Sequence, residues 1–181
     1  MSAPSPFQDA VVLAPLTVGG NLPFRRLCTE MGADVTVGEM AVVKKLLGGS
    51  PSEFALLKSH ADERMFGVQL ADKRTETLVE GARLAESRGA RFVDLNCGCP
   101  IDQITRRGLG ASLLRKPTKV GRLVAAMKGA VSIPVTVKLR AGWHEDKINV
   151  SDVARACEEN GADAIAIHGR TKEQAYSGNA N

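Results

Sequence analysis

The residues best suited to chemistry lie in one short segment, Asn96 to Pro100, which follows a run of apolar residues. Cys99 stands between a glycine and a proline, so its sulfur is expected on a constrained turn just past a strand. A thiol there could act as a nucleophile, which usually needs a nearby base such as histidine, or as a general acid that protonates a carbon centre. An inert buried thiol is the alternative for Cys99 and the expected state of Cys97.

Polar side chains also stand at or just after the carboxyl-terminal ends of other apolar runs; they include Gln69, Lys138 and His168. Each has a structural explanation when taken alone. Gln69 could satisfy backbone groups, and His168 could be hydrogen-bonded within the core. Lys138 could pair with Asp94 or Glu39. Together they are harder to explain, because a buried lysine or glutamine loses solvation unless a partner is present. A ligand rich in hydrogen-bond acceptors would supply that partner.

A flavin has the chemistry that such a site would recognise. An amide such as Gln69 or Asn96 could meet its pyrimidine-like edge, and Lys138 could neutralise negative charge on the reduced ring. This interpretation rests on functional groups alone. The chain has no Gly-x-Gly-x-x-Gly segment after a predicted strand, which disfavours a Rossmann-type nicotinamide domain.

The cysteines give no sign of a metal site or a disulfide framework. They are Cys28, Cys97, Cys99 and Cys157. Their spacing matches neither a zinc ribbon nor a disulfide-rich domain, and no histidine lies near the central pair. We therefore expect free thiols, no bound metal and a reducing compartment.

A basic, glycine-containing loop follows the central turn. Arg106 and Arg107 precede Gly108-Leu109-Gly110, and Arg170 with Lys172 follows the last predicted strand. A flexible cationic loop of this kind could serve as a lid or contact phosphate. Two solvated arginines are an equally good explanation from the sequence alone.

The elements that must position these groups alternate between strands and helices. The predicted strands are Ala10–Pro15, Asp34–Gly38, Met65–Leu70, Phe92–Asn96, Pro134–Leu139 and Ala164–His168. The predicted helices are Leu22–Glu30, Thr75–Ser87, Thr118–Met127 and Ser151–Glu159. Short helices are expected within Val42–Ser59, and Pro100–Pro117 is irregular. Near-continuous apolar strands indicate a parallel α/β sheet, either a (β/α)8 barrel or an open doubly wound sheet, with the functional groups at the carboxyl ends of the strands.

The composition is that of a single α/β domain or part of one. The chain has 181 residues, 44% of them hydrophobic and 24% charged, with 18 glycines. Its net charge of +4 is compatible with RNA but does not demand it. No apolar run approaches the roughly 20 residues that span a bilayer, which favours a cytoplasmic protein. Residues 1–9 are expected to be a tail before a domain at 10–181.

Four segments together resemble the tRNA-dihydrouridine synthases. They are APLTVGGNLPFRRLCTEMGAD, VDLNCGCPIDQITRRGLGASLL, VTVKLRAGW and IHGRT, and the match runs from about Val11 to the last residue. The resemblance implies an FMN-dependent (β/α)8 barrel that reduces the C5=C6 bond of a specific uridine in tRNA, with NADPH as the electron source. It also implies that hydride reaches C6 from the reduced flavin while Cys99 protonates C5 from the opposite side.

The same resemblance implies roles for the remaining candidate residues. The expected cofactor-binding residues are Pro15, Leu16, Thr17, Gln69, Asn96, Lys138 and His168. Asn96 would hold flavin or uracil. Arg107 and Arg170 would contact the RNA. The expected partner is tRNA, with no membrane, no metal and a monomeric state.

The length of the chain departs from the family pattern. A complete barrel needs roughly 250 residues, and this chain ends soon after the sixth predicted strand. We therefore expect an incomplete barrel of about six βα units, without the last barrel strands and the family's C-terminal helical tRNA-binding domain. Two alternatives stay open: an FMN barrel that acts on a free pyrimidine, as in dihydroorotate or dihydropyrimidine dehydrogenases, or an inactive fragment.

Overall fold

The computed structural model describes residues 5–181, so residues 1–4 of the expected tail lie outside the described residues. The strands are β1 (Val12–Leu13), β2 (Val35–Val37), β3 (Ala41–Val42), β4 (Met65–Ala71), β5 (Phe92–Cys97), β6 (Val135–Arg140), β7 (Gly142–His144), β8 (Lys147–Ile148) and β9 (Ala164–His168). The helices are α1 (Leu22–Glu30), α2 (Val43–Leu47), α3 (Pro51–Ala55), α4 (Thr75–Ser87), α5 (Asp102–Thr105), α6 (Pro117–Lys128) and α7 (Val150–Glu159), with a 3-10 helix at Gly110–Arg115.

Six strands form one parallel sheet in the order β1, β2, β4, β5, β6, β9, which is also their order along the chain. A doubly wound sheet reverses its strand order near the middle, whereas a (β/α)8 barrel keeps it. The described residues therefore form six strands of a (β/α)8 barrel with helices between them. This confirms the predicted fold class and overturns the doubly wound alternative.

All six predicted barrel strands and all four predicted helices are present, and two short helices fill most of Val42–Ser59 as expected. Three short strands were not predicted from the sequence. One is β3, which adds to the end of β4. The others are β7 and β8, which form an antiparallel hairpin directly after β6.

The alternation of side chains along each strand separates packing residues from site residues. In β5, Val93 and Leu95 belong to the main core beneath the helices, together with the fully buried Cys97. The residues between them, Asp94 and Asn96, line cavities on the opposite, inner face of the sheet. The period of two thus explains why Cys97 is a packing residue, as predicted.

Part of the expected N-terminal tail packs into the inner face of the sheet. The ring of Phe7 meets that of Phe92 edge-on, with 5.1 Å between their centroids. Gly67 on the neighbouring strand makes room for the Phe92 ring, because a Cβ at this position would overlap it. Phe7 therefore adds apolar contact at the amino-terminal end of the strands, opposite the end that carries the candidate residues.

A buried ion pair fixes α1 to the segment before β4. The Arg25 Nε donates to Glu63 Oε1 at 2.7 Å, and both side chains are at most 2% exposed. Burial alone would raise the pKa of the Glu63 carboxyl, but hydrogen bonds from Arg25, the His60 backbone and Thr36 outweigh burial and hold the pKa below its ordinary value. Arg25 also donates to the Gly20 carbonyl at 2.9 Å, which holds the loop between β1 and α1.

No helix within the described part of the chain is long and apolar enough to cross a membrane.

We expect Glu63→Gln to lower the free energy of unfolding by about 3 kcal/mol at neutral pH, because it leaves the buried Arg25 without its counter-charge. The loss should shrink as the pH falls below 4.5, since a carboxyl with a lowered pKa stabilises the fold only while ionised. Denaturant unfolding over a pH series measures both effects. Glu80→Gln on the exposed face of α4 is the control. A variant as stable as wild type at pH 7 would contradict the prediction.

Candidate active site

A cavity of about 530 Å³ lies at the carboxyl ends of the barrel strands. It brings together every residue predicted to be catalytic or to bind the cofactor. These are Pro15, Leu16, Thr17, Gln69, Asn96, Cys99, Lys138 and His168. Parallel pairing explains the convergence, because Asn96 lies opposite Lys138 across β5 and β6, and His168 lies opposite Arg140 across β6 and β9. We call this space the candidate active cavity.

A chain of hydrogen bonds runs from a buried carboxylate to the Cys99 turn. Asp94 accepts from the Thr136 hydroxyl at 2.6 Å and from Gln69 Nε2 at 2.8 Å. The Gln69 carbonyl oxygen then accepts from Asn96 Nδ2 at 2.7 Å. The side-chain carbonyl oxygen of Asn96 in turn accepts from the backbone N–H of Cys99 at 3.0 Å. Because an ionised carboxylate only accepts, Asp94 determines which way both amides face.

The carboxyl of Asp94 is in an unfavourable place for a charge. Burial raises its pKa to about 6, although hydrogen bonds from Thr136 and Gln69 and the positive charge of Lys138 oppose the shift. Burial also lowers the pKa of the Lys138 ammonium, which Asp94 partly counteracts. Lys138 forms no salt bridge with any residue between 5 and 181. Its positive charge is therefore available to a ligand in the cavity.

The thiol of Cys99 is half-buried at the edge of this cavity. Burial raises its pKa above the ordinary value, while the Ile101 backbone N–H and the charge of Arg140 oppose the shift. A thiol with a raised pKa stays protonated near neutral pH, which suits a proton donor and disfavours a thiolate nucleophile. Burial and the charges of Arg140 and Lys138 also lower the pKa of His168, which makes this imidazole a weaker base toward a thiol. The raised pKa of Cys99 therefore favours the general acid over the nucleophile among the two roles considered.

Arg140 braces the Cys99 turn from one side. Its Nε donates to the Gly98 carbonyl at 2.9 Å, and its Nη1 donates to the carbonyls of Thr171 and Ala175. The side of the turn that leads into the 3-10 helix is held by Gly110, whose φ of 60° lies in the left-handed region. A Cβ on Gly110 would come within 2.7 Å of the Cys99 carbonyl oxygen. These contacts hold the backbone of the turn that carries the sulfur.

The two arginines predicted to contact RNA lie outside the lining of the cavity. Arg107 is exposed on the loop after α5, and its carbonyl accepts from Lys73 Nζ at 2.7 Å. Arg170 lies at the edge, where its guanidinium donates to the Gly178 carbonyl and approaches His168 Nε2 at 3.4 Å. Their contacts with RNA stay predictions.

Several residues of the cavity and its supports were not predicted from the sequence. They are Thr136 and Tyr176, together with Asp94, which the sequence suggested only as a possible partner of Lys138. Asp94 could have been found from the period of two that places it on the same face as Asn96. Tyr176 and two of the carbonyls that Arg140 contacts, those of Thr171 and Ala175, lie after β9 in a segment that no strand or helix pattern marks. No group of three or more His, Cys, Asp or Glu side chains able to hold a metal occurs among residues 5–181.

The polar groups of the cavity fit a flavin. Gln69 and Asn96 each use one amide N–H within the hydrogen-bond chain and keep a second, and flavin carbonyls and ring nitrogens accept such bonds. The unpaired ammonium of Lys138 suits the negative charge of a reduced ring. Both amides are buried, so water has little access to their second N–H groups. A ligand with acceptors would provide the hydrogen bonds that these groups need.

Comparison with known proteins gives the family. The family model described as Dihydrouridine synthase (Dus) matches residues 12–181. The chain belongs to the dihydrouridine synthase family. This match confirms the resemblance drawn from the sequence and agrees with the barrel topology.

Individual relatives are similar over almost the whole chain. A tRNA-dihydrouridine(47) synthase [NAD(P)(+)]-like protein of Oryza sativa subsp. japonica is 42% identical over 94% of this chain and 25% of its own length. The tRNA-dihydrouridine(47) synthase [NAD(P)(+)]-like protein of Homo sapiens is 44% identical over 91% of this chain and 26% of its own. The chain thus spans about a quarter of the length of these relatives.

Solved structures support the fold alone. The carboxyl transferase domain of Rhizobium etli pyruvate carboxylase with 3-hydroxypyruvate has a TM-score of 0.56 and 15% identity, over 94% of this chain and 29% of that one. At this identity the likeness concerns the arrangement of strands and helices.

We expect the stability of wild type relative to Asp94→Asn to fall as the pH rises from 3.8 to about 6. In this window the native state keeps a proton on Asp94 that the unfolded chain has released. Raising the pH therefore lowers the free energy of unfolding of wild type. The change should reach about 3 kcal/mol. Thermal or denaturant unfolding of both proteins measures it, with Asp146→Asn, an exposed substitution in the hairpin loop, as control. A difference that does not vary with pH would contradict the raised pKa.

Proposed function

We propose that the protein to which this chain belongs reduces the C5=C6 bond of a uridine in tRNA to 5,6-dihydrouridine, with FMN as cofactor and NADPH as reductant. The observation that carries the proposal is the convergence of Cys99, Asn96, Gln69 and Lys138 on one cavity in a dihydrouridine synthase chain. The relatives support it further, since their names give tRNA-dihydrouridine synthase and NAD(P)(+).

Bound FMN would supply hydride to C6 of the uracil. The residues of the chain do the rest. Lys138 and the amide of Gln69 would hold the flavin ring, and Pro15, Leu16 and Thr17 would line it from the first strand. His168 would contact its ring or ribityl chain from the edge of the sheet.

The thiol of Cys99 would then protonate C5. The proton leaves the sulfur, the C5–H bond forms, and a thiolate remains that takes a proton from water. Asn96 would present its free N–H to a flavin or uracil carbonyl while its own carbonyl holds the Cys99 backbone. The hydrogen-bond chain from Asp94 thereby ties the orientation of the recognition group to the position of the acid.

The relatives' names also indicate the site on the RNA. Their names give position 47, and we propose that the uridine at this position is the one that this protein reduces. A tRNA partner suits the exposed basic residues Arg106 and Arg107 on the connection that follows Cys99. We include in this proposal a cytoplasmic location, which suits action on tRNA, and a monomeric state. No separate observation favours a free pyrimidine as substrate.

Deletion of the gene tests the proposed reaction. Because the enzyme acts on one class of uridine, we expect dihydrouridine at position 47 to disappear from the tRNA of the deletion strain and other dihydrouridines to remain. Mass spectrometry of nuclease-digested tRNA measures this, and reintroduction of the wild-type gene should restore the modification. Unchanged dihydrouridine at position 47 in a strain with no second gene of the family would refute the proposal.

A further inference from the structure

A second cavity, of about 680 Å³, lies outside the sheet between the first turns of α4 and α6. Six of its lining residues are cationic: Lys73, Arg74, Arg115, Lys116, Lys119 and Arg122. Glu76 is the one carboxylate among the described residues that line it. We call this space the basic groove. Like charges gathered so closely repel one another, so a groove of this composition is stabilised by an anion.

The cations of the groove are poorly neutralised by the protein. Among the residues that the structure describes, only Arg74 of the six forms a salt bridge, with Asp72 at 3.6 Å. Lys73 donates instead to the Arg107 carbonyl, and Arg115 stacks on the Trp143 ring at 3.6 Å. Lys116, Lys119 and Arg122 extend the charge along the start of α6.

The first turn of α6 has no acidic residue, whereas Glu76 lies in the first turn of α4. Cations stand at the positions before the first turn, Arg74 at α4 and Lys116 at α6, and neither makes a capping hydrogen bond through its side chain. The amino-terminal end of a helix carries partial positive charge and favours acidic residues there. Two adjacent helices that both begin with a cation therefore add to the positive potential of the six side chains.

The groove opens at the same end of the barrel as the candidate active cavity. Arg74 lies in the connection after β4, and Lys116 ends the connection after β5 that contains Cys99. The bond from Lys73 to the Arg107 carbonyl joins the groove to that connection. Exposed Arg106 and Arg107 lie on the loop between the two spaces. One connection thus runs from Cys99 at the cavity, past two exposed arginines, to Lys116 at the groove.

We propose that the basic groove binds the phosphate backbone of the tRNA whose uridine enters the candidate active cavity. This inference rests on the proposed function for the identity of the RNA. Several separated cations before two helices and along the start of α6 fit a chain of phosphates better than a single phosphate, because each phosphate is met by its own lysine or arginine. The groove reads no sequence; it holds the RNA while the cavity receives one base.

Charge reversal in the groove tests the proposal. Lys116→Glu/Arg122→Glu changes two exposed groove residues, and a glutamate before α6 suits the helix dipole, so the fold should not be weakened at that point. Arg64→Glu/Arg91→Glu is the matched control, with the same change in charge at exposed arginines just before β4 and β5, at the opposite end of the barrel. Circular dichroism and thermal unfolding establish that each variant is folded.

The measurement is the affinity of each protein for unmodified tRNA transcript over a series of salt concentrations, by filter binding. We expect the groove variant to bind at least ~10-fold more weakly than wild type, and the slope of log affinity against log salt to fall by about 0.7 to 0.9 for each phosphate that the variant no longer neutralises. The control should keep both the affinity and the slope. Equal weakening in both variants would mean general attraction of charge, and unchanged binding in the groove variant would mean another ligand, such as a small phosphorylated molecule. Either result would overturn the proposal.

This assay is independent of turnover. If dihydrouridine at position 47 is unchanged by deletion of the gene while the groove variant loses tRNA binding, the proposed reaction fails and the groove stands as an RNA site. If the deletion removes dihydrouridine but the groove variant binds tRNA as wild type does, the reaction stands and the groove proposal fails.

Discussion

The buried carboxylate of Asp94 is the group on which the arrangement of the candidate active cavity depends. It accepts hydrogen bonds from Thr136 and Gln69 and offers no donor, so the Gln69 amide has one favourable orientation. That orientation presents the Gln69 carbonyl to Asn96 and the Asn96 carbonyl to the backbone of Cys99. A carboxylate in this place costs desolvation, which Lys138 offsets only in part. The protein thus gives up some stability to define the direction of its recognition groups.

The second constraint is the alternation of side chains along the strands. It sends Cys97 into the core under the helices and leaves Asn96 on the inner face, although the two are neighbours in sequence. Cys99 lies on neither face of the sheet, because the strand ends at Cys97 and the chain turns at Gly98. Two cysteines that look alike in sequence thereby occupy different chemical environments, one inert and one at the edge of a cavity.

The sequence was sufficient to predict the parallel fold and the polar strand ends, because both follow from local patterns of apolar residues. It could not predict the order of the hydrogen-bond chain, since Gln69, Asp94 and Thr136 meet only through strand register. The hairpin of β7 and β8 was missed because its strands are only two or three residues long and lack alternation. The basic groove was missed for a related reason: Arg74 and Lys116 are far apart along the chain and meet only when α4 and α6 pack side by side.

In the proposed mechanism Cys99 transfers the proton, whereas Cys97 only packs in the core. Replacing each cysteine by alanine in the chromosomal gene tests these two roles most directly. Dihydrouridine at position 47 of cellular tRNA is measured by mass spectrometry, and the amount of each protein by immunoblot. We expect Cys99→Ala to lower the modification to the level of the gene deletion, whereas Cys97→Ala should retain it. Wild-type dihydrouridine in the Cys99→Ala strain would contradict the role of this thiol as the acid.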